Sequence, residues 1–471
     1  MKISNTYISG KLDQIDSEKN FMLINPANEK EYGVLQCSSF DQVNEAINTT
    51  INNEKAAAEL SLETRINILQ TIYDQINNRK NELAEAMTLE MGVPITFSKN
   101  AQVKMGADHL VNTINTLQKF NFEESFDGYK VIKMPIGATA LITPWNWPLN
   151  QTLTKIASAI GAGCSIILKP SEYSPVSSQI LIDIIDKSPL PKGCFNCVNG
   201  IGSEIGPIIS EHPHIKMISF TGSTRAGIDI QKRSANSVKR VSLELGGKSA
   251  HIICNGVELA KAIPNAINQC FINSGQSCSA PTRLLVPEDS IDQVKKIAAE
   301  HVDTLNFNDP KMEDTTHGPV VNKNQYESIQ NYIQAGINEG CELLIGGLGR
   351  PDSFEDGFFV KPTIFVNVNN ESIIAQDEIF GPVLAIISYK DIDEAINLAN
   401  NSKYGLSSYI TCEDEKLAEE IAKRIYSGQT VINKASRGSV PAPFGGFKMS
   451  GNGREHGKFG LEEYLEIKAI I

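Results

Sequence analysis

The stretch Met217-Ile218-Ser219-Phe220-Thr221-Gly222-Ser223-Thr224-Arg225-Ala226-Gly227 joins an apolar run to a glycine turn and a polar segment. We interpret the apolar run as a buried strand and the residues after the turn as the start of a helix. In that context the free N–H groups and the dipole of the helix attract an anion, such as a phosphate. A plain helix start without a ligand is the alternative that this stretch leaves open.

Short apolar runs alternate with helical patterns on both sides of this stretch. Upstream, strands are predicted at Ala138–Ile142 and Ser165–Leu168, and after Gly247 the alternation restarts with a strand at Ala250–Cys254 and continues to about Val431. Such alternation is typical of parallel sheets with helical crossovers. The sequence therefore predicts an α/β chain whose two domains meet near Gly247.

The composition narrows the classes of function. The chain has 471 residues, and a net charge of −12 argues against nucleic acid or an anionic membrane surface as partner. We expect no membrane span, since no apolar run approaches ~20 residues, and no signal peptide. Nine cysteines without a framework favour a reducing, cytoplasmic location. Cys194 and Cys197 form a CxxC, but nothing nearby completes a metal site, so we predict a buried strand there and no metal.

Cys278 lies in Asn273-Ser274-Gly275-Gln276-Ser277-Cys278-Ser279-Ala280. The small neighbours leave the thiol uncrowded, as a nucleophile requires. The alternative is a buried, inert thiol, which is the usual state of a cysteine that is not in a disulfide.

Glu244 lies in Val241-Ser242-Leu243-Glu244-Leu245-Gly246-Gly247-Lys248. The alternation predicts a strand in which Val241, Leu243 and Leu245 share one face and Glu244 points to the other. Glu244 comes at the carboxyl end of this strand, where open α/β sheets bind ligands. A carboxylate among apolar neighbours has a raised pKa and can act as a general base. A solvated carboxylate at a strand end is the alternative.

Three further segments have features of a binding site. In Thr143-Pro144-Trp145-Asn146-Trp147-Pro148-Leu149, two prolines fix the backbone around one side-chain amide, as an oxyanion hole requires. Lys169 and Glu172 follow a predicted strand and could bind the hydroxyls of a ribose. Asn199–Gly206 is rich in glycine but departs from the GxGxxG spacing by one residue, so it is a weak signal.

Taken together, these strings resemble the aldehyde dehydrogenase superfamily, in order and over nearly the whole chain. The resemblance rests on Pro144-Trp145-Asn146, Leu168-Lys169-Pro170-Ser171-Glu172, Phe220-Thr221-Gly222-Ser223-Thr224, Glu244-Leu245-Gly246-Gly247-Lys248, Gly275-Gln276-Ser277-Cys278, Glu378-Ile379-Phe380-Gly381-Pro382 and Pro443-Phe444-Gly445-Gly446-Phe447-Lys448-Met449-Ser450-Gly451.

The resemblance implies a role for each candidate residue. Cys278 would attack an aldehyde, Asn146 would hold the oxyanion, and Glu244 would activate the water that hydrolyses the thioester. The presence of Glu244 favours water over coenzyme A as acyl acceptor. Hydride would pass to NAD, with NADP as a second possibility, because Glu172 is suited to accept from both ribose hydroxyls. The implied cofactor contacts are Trp145, Lys169, Glu172, Gly202, Gly222, Ser223, Thr224, Gly227, Glu378 and Phe380.

The resemblance also implies two doubly wound parallel-sheet domains and a small β oligomerisation arm. We assign residues 1–116 and 136–247 to a Rossmann-like cofactor domain and 248–448 to a catalytic domain. Residues 117–135 and 449–471 form the arm, which would join subunits into a homodimer or homotetramer.

Three features depart from the better-known members of the family, and one of them is that Cys194 and Cys197 belong to no family pattern. Thr154 stands near the implied substrate tunnel, where many members have a bulky side chain. Asn433–Ser439 is unusually basic, and its Lys434 and Arg437 could favour an aldehyde that bears an anion.

Two other classes of function remain open. A cysteine hydrolase could use a thiol and a glutamate, but it leaves the glycine turns and the Lys169/Glu172 pair unexplained, and absence of nicotinamide binding would favour it. A non-catalytic scaffold related to the family should have lost Cys278, Glu244 and Asn146, and all three are present.

Overall fold

The computed structural model describes residues 1–434 and 441–471. Its first large sheet has eight strands, and the five at its centre are parallel. From edge to edge the strands are Gly451–Asn452, Arg240–Glu244, Met217–Thr221, Thr139–Ile142, Ile166–Lys169, Phe195–Cys197, Asn5–Ile8 and Lys11–Gln14. The outer strands at both edges pair antiparallel with their neighbours.

The order of the parallel strands reverses between Thr139–Ile142 and Met217–Thr221. From the first of these the chain builds outward to Phe195–Cys197, and it then crosses back to place the second on the other side. Every residue of both strands is buried, as expected for a parallel sheet covered on two faces. Ligands of open α/β sheets bind beyond the carboxyl ends of strands at such a point.

The second large sheet has seven strands, and six of them are parallel. In spatial order they are Glu342–Ile345, Thr363–Val366, Val383–Tyr389, Arg283–Pro287, Ala250–Ile253, Ser407–Thr411 and Gln429–Ile432, with the first antiparallel to the rest. The α/β class with mainly parallel sheets is therefore confirmed, and the strands predicted at Ala138–Ile142, Ser165–Leu168 and Ala250–Cys254 each match an observed strand to within a residue or so.

Hydrophobic cores cover both faces of each large sheet. In the first sheet, Leu141 and Leu168 belong to one core, whereas Ala140 and Ile167 belong to the other, because successive side chains in a strand point to opposite faces. The helices on these sheets are Phe40–Asn52, Glu54–Ala58, Leu62–Asn78, Lys80–Met91, Ile95–Phe97, Lys104–Leu117, Pro148–Ala162, Pro175–Asp186, Gly202–Glu211, Thr224–Ser234, Leu259–Phe271, Ile291–Val302, Lys323–Asn338, Ile373–Gln376, Ile392–Asn400, Glu415–Arg424 and Gly457–Glu462.

Three smaller sheets complete the fold. One joins Lys2–Ile3, Glu31–Gln36 and Asn20–Ile24, and another joins Tyr404–Gly405 to Phe447–Lys448. The third, which we call the arm sheet, joins Leu465–Ile470, Tyr129–Pro135 and Glu123–Phe126 in antiparallel order.

Arg240 links the arm sheet to the first large sheet. Its guanidinium donates to the carbonyl oxygens of Glu463 and Leu465 at 2.7 and 2.8 Å and to the carboxylate of Glu466 at 2.9 Å. Gly451–Asn452 pairs with the first large sheet. The domain boundaries stay predictions.

Across the described residues, every helix is too short or too polar to cross a bilayer. The same residues contain no cluster of three or more His, Cys, Asp or Glu side chains that could hold a metal ion.

Candidate active site

Cys278 lies in a turn that follows the helix Leu259–Phe271. Residues 273–275, just before it, all have positive φ, with values of 54°, 56° and 74°. A Cβ on Gly275 would lie 2.1 Å from the carbonyl oxygen of Gly381, so only glycine permits this approach of two backbones. Gly275 is thus explained by backbone packing rather than by access to the thiol. Cys278 is itself partly exposed, as a nucleophile requires.

Asn146 reaches the Cys278 turn from the first large sheet. Its Nδ2 donates to the carbonyl oxygen of Gln276 at 3.0 Å. Its own backbone carbonyl accepts from the side-chain amides of Gln102 and Asn273 at 3.1 and 3.0 Å. Asn146 is also buried. These bonds fix the amide before any ligand arrives, which is the property expected of an oxyanion-hole donor.

Glu244 is the last residue of its strand and is only 2% exposed. Within the part of the chain that the structure describes, neither carboxylate oxygen has a hydrogen-bond partner. Burial raises the pKa of Glu244 well above its usual range, the charge of Glu455 raises it further, and Lys155 opposes them. A carboxyl group with a raised pKa is a stronger base than an ordinary carboxylate, as suits a general base.

Lys155 and Glu455 form a buried ion pair beside Glu244 that sequence reasoning missed. The two side chains are 1% and 7% exposed, and the Lys155 ammonium also donates to Ser219 Oγ at 3.1 Å. The partners are 300 residues apart, and neither stands in a motif that signals a pair. Only the fold brings them together.

The Cys278 thiol lies close to two carboxyl groups. Burial raises the pKa of Cys278, and the charges of Glu378 and Glu244 raise it further. A Cβ on Gly247 would lie 2.4 Å from the Cys278 carbonyl oxygen, so this glycine allows the end of the Glu244 segment to pack against the turn. Because the thiolate is the nucleophile, a base must take the proton before or during attack.

A cavity of about 430 Å³ leads to Cys278. This volume is typical of a pocket for a small organic molecule. Its wall combines aromatic rings with neutral amides, and the residues include Phe97, His109, Trp147, Asn150, Gln151, Asn265, Asn268, Gln269, Phe444 and His456. The Trp147 indole N–H donates to Ser277 Oγ at 2.8 Å, which fixes this ring next to the nucleophile.

Lys169, Glu172 and Gly202 lie together beyond the carboxyl end of Ile166–Lys169. The Lys169 ammonium donates to Glu172 Oε2 at 2.7 Å, and the Gly202 N–H donates to Glu172 Oε1 at 3.1 Å. Burial alone would raise the pKa of Glu172, but the Lys169 charge and these hydrogen bonds outweigh it and lower the pKa. A Cβ on Gly202 would lie 3.5 Å from Lys169 Nζ, so the missing side chain leaves the pair open to a ligand.

Glu378 lies near Cys278 and against the backbone of Gly247. Its Oε1 accepts from the Gly247 N–H at 3.0 Å, and burial raises the pKa of Glu378 to about 7. Phe380 has a φ of 57°, and its ring packs edge to face with Trp145 at a centroid distance of 5.6 Å. The structure thus brings the implied Glu378, Phe380 and Trp145 into one area.

The predicted strand, turn and helix around Gly222 are present as Met217–Thr221 and Thr224–Ser234. Ser223 caps the helix, because its Oγ accepts from the Ala226 N–H. A Cβ on Gly227 would lie 2.6 Å from the Leu245 side chain, so this glycine serves close packing of helix on strand. Thr224 is the first residue of this helix, and the free backbone N–H groups of the first turn can bind an anion.

These residues fit a dinucleotide. The Lys169–Glu172 pair can hold the hydroxyls of a ribose. The N-terminus of the helix Thr224–Ser234 follows a strand at which the strand order reverses, and a second carboxylate, Glu378, lies near the thiol.

Three other sequence predictions can be placed. Thr154 is buried inside the helix Pro148–Ala162, whereas Asn150 and Gln151 of that helix line the cavity. Lys434 lies near the cavity wall, since its carbonyl accepts from Gln269 at 3.2 Å. Its predicted partner in anion binding, Arg437, lies outside the described residues. Cys194 and Cys197 are buried at the strand Phe195–Cys197, as predicted, and burial raises the pKa of both thiols.

Comparison with known proteins identifies close relatives along nearly the full length. The model of the Aldehyde dehydrogenase family matches residues 14–470. A 3-succinoylsemialdehyde-pyridine dehydrogenase of a Pseudomonas species is 42% identical over 466 residues, which cover 99% of this chain and 98% of the relative.

Solved structures give the same result. Aldehyde dehydrogenase C of Pseudomonas syringae, a cysteine-to-alanine mutant in complex with NAD+ and octanal, superposes with a TM-score of 0.98 at 42% identity, covering 99% of this chain and 96% of that one. Betaine aldehyde dehydrogenase of Staphylococcus aureus in complex with NAD+ has a TM-score of 0.96 at 32% identity, covering 99% and 94%. The chain therefore belongs to the aldehyde dehydrogenase family and is an NAD(P)-dependent aldehyde dehydrogenase.

Proposed function

We propose that this enzyme oxidises an aldehyde to a carboxylic acid through a thiohemiacetal and a thioester on Cys278. The observation that carries the proposal is the convergence of two groups on the Cys278 thiol, which lines the cavity. The Asn146 amide is fixed to the Cys278 turn by its bond to Gln276, and the unpartnered Glu244 carboxyl is close enough for its charge to act on the thiol. A cysteine hydrolase needs no dinucleotide, and it leaves the Lys169–Glu172–Gly202 arrangement without a purpose.

In the first stage the Cys278 thiolate attacks the carbonyl carbon. The charge that develops on oxygen is held by the Cys278 backbone N–H and by Asn146, whose Nδ2 carries a second hydrogen besides the one given to Gln276. The cavity supplies a largely apolar wall that excludes water from this charge and strengthens both hydrogen bonds.

We assign the cofactor as NAD, which accepts a hydride when it is bound. Lys169 and Glu172 would hold the adenosine ribose, Gly222, Ser223 and Thr224 the pyrophosphate, and Glu378 the nicotinamide ribose. The fixed negative charge of Glu172 disfavours a 2′-phosphate, which supports NAD over NADP. The NAD+ complexes of the two structural relatives support the same choice.

In the second stage Glu244 takes a proton from water as the water attacks the thioester. No group of the described residues uses the hydrogen-bonding capacity of its two oxygens, and its raised pKa suits a base. This carboxyl is also what supports water, rather than coenzyme A, as the acyl acceptor.

Replacement of the nucleophile tests the proposal. In Cys278→Ala, NADH formation should fall by at least ~10³-fold, because a covalent catalyst is lost, while NAD affinity stays within about twofold. Cys341→Ala is the matched control, since Cys341 is the other partly exposed thiol. Retention of more than about a hundredth of the wild-type turnover in Cys278→Ala would refute the assignment.

We also propose that the chain is a cytoplasmic homodimer or homotetramer joined through its arm sheet, with the domain boundaries predicted from the sequence. All nine cysteines are free thiols, which supports a reducing compartment. The strand Leu465–Ile470 leaves Ile467 73% exposed and Ile470 45% exposed. Such an apolar edge is expected to pair with another subunit.

Deletion of residues 461–471 tests the assembly. The shortened chain should elute as monomer or aggregate in size-exclusion chromatography with light scattering, because the edge that pairs between subunits is gone. Ile467→Ser in the full-length chain is the milder companion variant. An unchanged oligomer in both would contradict a role of this strand in assembly.

A further inference from the structure

The wall of the substrate cavity contains a stack of three rings. The His109 and His456 imidazoles are stacked with centroids 4.4 Å apart and planes 23° apart. The Phe444 ring continues the stack at 5.5 Å from His456 and 30° from its plane. All three residues line the cavity that leads to Cys278. The stack therefore adds aromatic rings to a wall that also includes the aliphatic side chains of Ala101, Met105, Ile272 and Ala280.

Several contacts fix the position of this ring stack. His109 Nε2 is hydrogen-bonded to Asn150 Oδ1 at 2.6 Å. Phe444 and Glu455, the residue before His456, exchange two backbone hydrogen bonds of 2.9 and 2.7 Å. His456 itself has φ 72° and ψ 145°, a conformation that residues with a Cβ rarely adopt. Backbone strain of this kind persists where the surroundings over-determine a side-chain position.

A second aromatic pair lies in the same cavity. Phe97 and Trp147 meet edge to face with centroids 5.6 Å apart, and the indole of Trp147 is tied to Ser277, next to the nucleophile. Among the described residues of the wall there is no Asp, Glu, Lys or Arg, and the polar groups are amides such as Asn265 and Gln269. The described wall thus offers aromatic and aliphatic apolar groups together with neutral hydrogen-bonding groups.

We propose that this cavity selects aldehydes whose tail is a planar aromatic or heteroaromatic ring, and that the ring stack His109–His456–Phe444 is the specificity determinant. Aromatic rings gain stabilisation from stacked or edge-to-face contacts beyond the area that they bury, and a saturated ring of equal size does not. The inference rests on the proposed aldehyde oxidation and deepens it by naming the substrate class.

The first experiment compares three neutral aldehydes with the wild-type enzyme and NAD. 3-Phenylpropanal and 3-cyclohexylpropanal have the same carbon skeleton and differ in the planarity of the ring, and hexanal reports on aldehyde oxidation as such. The value of kcat/KM for the phenyl compound should exceed that for the cyclohexyl compound by about tenfold. Equal values for the two ring compounds would overturn the proposal, and failure to oxidise hexanal or either ring compound would instead overturn the proposed function.

The second experiment assigns the preference to the stack. His456→Asn removes the ring and keeps a residue type that tolerates positive φ, and the phenyl-to-cyclohexyl ratio should fall to about one. His456→Phe keeps a ring and should keep the ratio. Phe459→Leu changes an exposed ring three positions away and is the matched control. Because the readout is a ratio, a general loss of activity does not imitate the effect.

Phe444→Leu provides an independent variant from another segment. It should lower the ratio in the same direction as His456→Asn, since it shortens the stack by one ring. If both variants keep the wild-type ratio, the ring stack does not determine specificity.

Discussion

Glu172 and Glu244 are two carboxyl groups at the carboxyl ends of strands of the first large sheet, and their pKa values are shifted in opposite directions. Glu172 accepts from the Lys169 ammonium and the Gly202 N–H, and its pKa is lowered. Glu244 has no hydrogen-bond partner among the described residues, it lies near the charge of Glu455, and its pKa is raised.

The comparison shows that burial alone does not fix the charge of a carboxyl group. Desolvation disfavours the charged form at both sites, and the difference comes from partners. A cation and an N–H donor keep Glu172 ionised, which suits a residue that accepts from ribose hydroxyls. A site without donors keeps Glu244 ready to exchange a proton, which suits a base.

Removal of the Glu244 carboxyl should have the largest effect. Glu244→Gln should lower steady-state turnover by about 10²–10⁴-fold, because water then lacks a base. If another group deprotonates Cys278, a single burst of NADH should remain, since formation of the thioester does not require water. Stopped-flow absorbance separates burst from steady state. Unchanged steady-state turnover would show that Glu244 is not the base.

Changes in the neighbouring ion pair should move the pH profile. Glu244 must have lost its proton to act as a base, so the rate should rise with pH through the raised pKa of Glu244. Glu455→Gln removes a negative charge and should shift this rise to lower pH by about one unit. Lys155→Met removes the opposing charge and should shift it to higher pH.

Both variants leave one buried charge without its partner, so thermal unfolding must show that they remain folded. Shifts of the same sign in the two variants would contradict the electrostatic explanation.

A smaller effect is expected at the ribose end. Glu172→Gln keeps the shape but removes the negative charge, so the ratio of kcat/KM for NAD to that for NADP should fall by about tenfold, because repulsion of a 2′-phosphate is lost. Activity with the better cofactor should change little in kcat and more in KM. A wild-type enzyme that already prefers NADP would refute this reading of Glu172.

The features that could be predicted from the sequence are those that depend on the pattern of apolar and polar residues within a short segment. Alternation around Glu244 placed Leu243 and Leu245 in one core and the carboxyl away from it, as observed. The parallel sheets followed from short apolar runs alternating with helices, because such strands are buried on both faces.

The features that could not be predicted from the sequence depend on contacts between segments that are far apart in the chain. Lys155 and Glu455 come together across 300 residues, and the ring stack combines His109 with His456 and Phe444. Gly275 was visible in the sequence, but its reason, the approach to the Gly381 carbonyl, requires two folded segments. Single-residue strain, such as the φ of 72° at His456, leaves no sequence signal.

The strand Arg240–Glu244 connects the region of the arm sheet to the Glu244 carboxyl. At its first residue, Arg240, the strand donates to the carbonyl oxygens of Glu463 and Leu465, in and beside the arm sheet, and at its fifth residue it ends in Glu244, the proposed base. A strand of this length spans only ~17 Å and does not stretch. We have proposed the arm sheet as the subunit contact and Glu244 as the base, so a shift of the arm sheet at that contact should be transmitted through this strand to the Glu244 carboxyl.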